Sequence, residues 1–168
     1  MEAQGYATIY NVRDIALVVQ GGTFKVRPEE QGLWRGGFNI LLEADPILVG
    51  LADRRAMGAA VRKTLLASPL LDPEQPQYNP TEKDFNLILA TKLGLSPTKS
   101  PYAGMKSCSV DRWINDITLV PFRREHGGYF RAFTGVWVKG HEKIVVSAEI
   151  DDEGLGVAVQ ECLNRCIG

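Results

Sequence analysis

The residue types able to do acid–base or nucleophilic chemistry fall mostly in the second half of the chain. They are Cys108, the two histidines His126 and His141, and the carboxylates Glu125 and Glu142. A thiol, an imidazole base and an orienting carboxylate are the parts of a covalent catalytic centre. The context of Cys108 argues against one. It lies in Met105-Lys-Ser-Cys-Ser-Val110, an alternating run with no glycine elbow and no helix N-terminus to lower its pKa. The preferred reading is a partly buried strand thiol with two surface histidines in turns, and no catalytic residue is assigned.

A second constellation is basic and aromatic. Arg123, Arg124, Arg131, Lys139 and Lys143 are interleaved with Phe122, Tyr129, Phe130 and Trp137, the composition of a surface that stacks bases and tracks phosphates. Glu125, Glu142 and Glu149 stand among them, so an ordinary charged sheet edge is the preferred reading. No phosphate loop, dinucleotide fingerprint or paired zinc ligands occur, and no cofactor or metal is expected. The three cysteines, Cys108, Cys162 and Cys166, make an odd count without paired short spacing. They read as small buried thiols of a reducing compartment.

These residues must be positioned by recognisable elements. Ile144 to Ala148 reads as a strand, followed by the acidic turn Glu149-Ile-Asp-Asp-Glu-Gly154 and a closing helix. Residues 155, 158, 159, 162, 163 and 166 are apolar or thiol at three- and four-residue spacing, which puts them on one stripe of a helix. Asp151, Asp152 and Glu153 sit at its positive end, where carboxylates help start it.

The unit has an earlier echo in Ile40 to Ala44 and Met57 to Ser68. Met57, Gly58, Ala60, Val61, Thr64 and Leu65 match Leu155, Gly156, Ala158, Val159, Cys162 and Leu163. A strand–helix unit repeated over 40–68 and 144–166 is what a duplication would leave, and coincidence between two amphipathic helices is the alternative.

Elsewhere, Tyr6 to Val12 and Ile15 to Gln20 read as an antiparallel hairpin, with Gly21-Gly22 turning into Thr23 to Arg27. Residues 45–53 read as a loop whose apolar run from Pro46 to Leu51 packs on the core, the alternative being an exposed contact surface. Pro69, Pro73, Pro76 and Pro80 make residues 69–80 a surface connector. The pattern predicts a helix over 82–93 stopped by Gly94. It predicts strands over 105–110 and 117–120 joined at Asn115-Asp116, and further strand within 129–138. This order argues for an α+β or α/β domain, with a mixed sheet covered by about three helices.

With 168 residues the chain is expected to form one domain with a single core. A net charge of −1 argues against general nucleic-acid binding. No apolar run approaches the ~20 residues of a membrane span, and the N-terminus lacks the pattern of a signal peptide, so a cytoplasmic location is expected.

Taken in order, Met105-Lys-Ser-Cys-Ser-Val, Ile117-Thr-Leu-Val-Pro, Ile144-Val-Val and Leu155-Gly-Val-Ala-Val-Gln-Glu-Cys-Leu-Asn-Arg-Cys166 resemble the C-terminal half of the CdiI-type immunity proteins of contact-dependent growth inhibition. The resemblance covers about Met105 to Cys166. It implies a non-enzymatic cytosolic protein that binds one cognate CdiA C-terminal toxin domain, commonly a nuclease such as a tRNase, and blocks its active site. No direct nucleic-acid binding is implied. Against a basic nuclease groove, acidic side chains would occupy the place of substrate phosphates and steer association. The candidates are Glu29, Glu30, Asp72, Glu74, Asp151, Asp152 and Glu153. The rival is a small enzyme or nucleic-acid binder using Cys108 and His126 or the Arg123–Arg131 patch.

Overall fold

The computed structural model describes residues 4–21, 23–24, 46–71, 87, 90–95, 105–124, 130–132 and 142–167. Two long hairpins form its centre. The first pairs β1 (Gly5–Val12) with β2 (Ile15–Gly21), and the second pairs β6 (Lys106–Arg112) with β7 (Asp116–Arg124). β1 and β6 then join antiparallel, with Ile9 opposite Cys108. On the outside of β2 lies β4 (Ile47–Gly50), and on the outside of β7 lie β8 (Phe130–Ala132) and β9 (Ile144–Ser147). The seven-stranded sheet therefore runs β4-β2-β1-β6-β7-β8, with β9 also on β7. Every pairing in it is antiparallel. Among the described residues, parallel pairing occurs in the short pair β3 (Thr23–Phe24) with β5 (Leu70–Leu71) and in a bridge from Arg123 to Ile167. The class is α+β.

Two helices cover one face, α1 (Arg54–Leu66) and α2 (Asp152–Asn164). Both expected stripes are buried: Met57, Gly58, Ala60, Val61, Thr64 and Leu65 on α1, and Leu155, Gly156, Ala158, Val159, Cys162 and Leu163 on α2. Cys166 follows just past the end of α2 and is buried as well. They meet Ala7, Ile9, Val18, Cys108, Val110, Ile117 and Leu119, the inward alternate residues of the central strands. On the opposite face a second cluster joins Tyr10, Val12, Leu17, Val19 and Met105 to Leu93. Residues 87 and 90–92 are helical within the span predicted for a helix, and Gly94 takes the left-handed φ of 66° that ends it.

Two boundaries differ from expectation. The run from Pro46 to Leu51 contains an edge strand, β4, because its amides and carbonyls complete the ladder on β2. The strand that feeds α1 among the described residues is therefore β4, and the expected strand over 40–44 lies outside them. The β6–β7 turn is Trp113-Ile114-Asn115, closed by the Trp113 amide donating to the Asp116 carbonyl at 2.7 Å, so Asp116 opens the strand instead of ending the turn. Within the connector over 69–80, Leu70-Leu71 pairs with Thr23-Phe24, and residues 72–80 lie outside the described set.

Candidate functional site

The thiols come together in the core. Cys108 on β6 and Cys162 and Cys166 at the end of α2 are all buried and reduced. The Cys108 thiol is held well above its usual pKa by its contact with the Cys162 thiol and by burial. Burial likewise pushes Cys166 up to about 12. Its thiol donates to the carbonyls of Ser107 at 3.0 Å and Cys162 at 3.3 Å. A protonated, solvent-free thiol is no nucleophile. His126, His141 and Glu125 lie outside the described residues, and Glu142 turns its carbonyl to Arg165, at 2.9 Å.

The basic patch is partly placed. Arg123 and Arg131 are register partners across β7 and β8, and Lys143 is exposed just before β9. Of the acidic candidates, Glu29, Glu30, Asp72 and Glu74 lie outside the described residues. Asp151 is the N-cap of α2, accepting from the Gly154 amide at 2.7 Å, and Asp152 pairs with the Arg62 guanidinium at 2.7 Å. Glu153 is exposed in the first turn of the helix. Among the described residues no group of three or more His, Cys, Asp or Glu side chains is placed to hold a metal, and no helix is long and apolar enough to cross a membrane.

The two helices cross by a reciprocal contact. Gly58 lies against the backbone of Asp152, and Gly156, its counterpart on α2, lies against the backbone of Arg54, the counterpart of Asp152. Side chains repeat the exchange. Arg62 reaches Asp152, and Gln160, the counterpart of Arg62, accepts from Arg54 at 3.0 Å. Arg62 also donates to the carbonyls of Ala148 and Ile150 in the β9–α2 loop, while Gln160 donates to Leu51 in the β4–α1 loop. Even the caps correspond: Asp53 accepts from Ala56, as Asp151 does from Gly154. The described chain is thus built as two similar halves, each a hairpin, an outer strand and a helix, related by a pseudo-two-fold between β1 and β6.

Where the halves differ, a cleft of about 710 Å³ opens at the end of the sheet. Asn11, Arg13 and Asp14 of the first hairpin, Leu51 and Ala52, Lys106 at the start of β6, and Gln160, Leu163 and Asn164 of α2 line it. Sequence reasoning missed it, because its residues come from four separate segments. One local signal existed: a two-residue hairpin turn filled by Arg13-Asp14 where Asn-Gly or Gly-Gly is usual.

A family model described as CDI immunity protein, CdiI, matches residues 37–166. The chain belongs to the CdiI family of CDI immunity proteins. Among curated proteins none matches by sequence. The fold is similar to that of a protein of unknown function, NMB0488, from Neisseria meningitidis, with a TM-score of 0.76 and 17% identity over 96% of this chain and 94% of that one. It is also similar to a chain of the CdiA-CT/CdiI toxin and immunity complex from Yersinia pseudotuberculosis, with a TM-score of 0.69 and 18% identity over 96% and 97%. For this CdiI-family chain, the match extends the resemblance seen over Met105 to Cys166 back through α1 and β4.

Proposed function

We propose that this CdiI-family chain is the immunity partner of a CdiA C-terminal toxin domain, which it binds one-to-one in the cytoplasm and neutralises by covering its active site. The observation that carries this reading is the family match over residues 37–166. The burial of Cys108 and its raised pKa support inhibition by contact over a reaction through that thiol. The proposed target is a nuclease such as a tRNase. Glu29, Glu30, Asp72, Glu74, Asp151, Asp152 and Glu153 are proposed to steer its basic groove toward this chain. Asp151 and Asp152 would do so besides capping α2 and pairing with Arg62.

The test is calorimetric titration of the purified chain with the toxin domain encoded beside it. One-to-one binding and loss of the toxin's nuclease activity are expected. Absence of binding would sink the reading. Stopped-flow association of charge-reversal variants at Glu29, Glu30 and Glu153 tests the steering: each should slow association and flatten its salt dependence, and unchanged rates would remove it.

A further inference from the structure

We propose that the cleft between the Arg13-Asp14 turn and the end of α2 is the seat for a carboxylate-bearing loop of the partner toxin, an assignment that rests on the immunity reading. Charge is the first argument. Arg13 and Lys106 enter the lining with no ion-pair partner among the described residues, against a single carboxylate, Asp14. Gln160 and Asn164 add amide groups on the α2 side, so the lining favours an anion that also accepts hydrogen bonds. At about 710 Å³ the cleft exceeds what a lone ion needs and suits a few side chains of a protein loop.

Backbone conformation is the second argument. Arg13 has φ 55°, a left-handed conformation that residues with a Cβ adopt at an energetic cost. Glycine would hold this turn without that cost, yet a long cation stands there. The turn is braced on both sides. The Asn11 side-chain amide donates to the carbonyls of Arg13 at 3.1 Å and Ile15 at 2.8 Å, and the Leu51 amide donates to the carbonyl of Asp14 at 2.7 Å. Strain retained inside a braced turn is typical of a residue kept for what it touches.

Broken symmetry is the third. In one half, the Arg62 guanidinium occupies the space between helix and loop, bound to Asp152 and to two loop carbonyls. In the other, its counterpart is the shorter and neutral Gln160, and that is the half where the cleft stands open. The positive charge is instead carried at the rim, by Arg13 and Lys106.

The experiment measures affinity of the full chain for the toxin domain encoded beside it, with melting temperature as the control for folding. Arg13→Glu with Lys106→Glu should weaken binding about 10-fold or more. Arg13→Gly removes the cation and relieves the backbone, so it should melt no lower than the wild type while binding less tightly. Lys63→Glu, on the exposed side of α1, should bind within about twofold of wild type, as for an uninvolved surface charge. If the wild-type chain binds and the Arg13→Gly and Lys106→Glu variants bind equally well, the cleft assignment is overturned and the immunity reading stands. If the wild-type chain does not bind at all, the immunity reading fails and the cleft assignment falls with it.

Discussion

Gly58 and Gly156 set the distance between the helices. A methyl group at Gly58 would overlap the carbonyl of Asp152, and one at Gly156 would overlap the carbonyl of Arg54, both backbone atoms that cannot rotate away. Either substitution to Ala forces α1 and α2 apart and loosens the core beneath them. Each should therefore cost about 3 kcal/mol in urea denaturation, near the top of the range for overpacking, although Ala is the better helix former. The buried titrating groups make a second prediction at this scale. Burial raises Tyr6 and Cys166 to about 12 in the folded chain, and Cys108 is raised in the same direction. In the unfolded chain these groups lose their protons near 9 for a thiol and 10 for a phenol. Between those values and about 12 for Tyr6 and Cys166, and from about 9 upward for Cys108, the unfolded state binds fewer protons, so stability falls as pH rises, by up to about 1.4 kcal/mol per pH unit for each group. Below pH 9 their contribution is fully present. Denaturation midpoints that stay flat from pH 9 to 11 would contradict the burial of these three side chains.

At the scale of elements, each helix starts on an aspartate. Asp53 and Asp151 each satisfy an amide of the first turn, and α1 has no acidic residue in that turn while α2 has Asp152 and Glu153. Asp53→Ala and Asp151→Ala should each cost about 1 kcal/mol, measured by thermal melting. The helices were legible because their periodicity is local: one face of 13 residues had to be buried wherever the chain went. β4 was not legible, for an equally physical reason. Ile47 and Val49 face the core and Leu48 faces outward, but all three are apolar, so the sequence shows no polar alternation to mark a strand. Its identity comes from hydrogen bonds to β2, a partner about thirty residues earlier in the chain.

At the scale of the molecule, the two halves share one core. α1 of the first half buries Met57, Val61 and Leu65 among Cys108, Leu119 and Leu155 of the second, and Gly5 at the start of β1 lies against the backbone at Leu65. Neither half can open without exposing the apolar face of the other. Urea unfolding followed by fluorescence and by circular dichroism should therefore give one coincident transition, and two separated transitions would show that the halves are independent. The same arrangement explains how a chain with a net charge of −1 can still present a cationic cleft. Arg13 and Lys106 lie on neighbouring antiparallel strands, one just past the end of β1 and the other at the start of β6, so the sheet gathers them at one end.

The amino-acid sequence by itself determined the two helical stripes, the first hairpin and the acidic start of α2, because each is written in spacing between near neighbours, and its segments within residues 105–166 carried the family resemblance. The echo between Met57–Leu65 and Leu155–Leu163 was visible there too. Only the tertiary structure decided that the echo is a reciprocal helix crossing, that three cysteines meet in the core, and that Arg13, Lys106 and Gln160 face one cleft. Those outcomes depend on strand order and register, set by long-range hydrogen bonding and packing that no local pattern encodes.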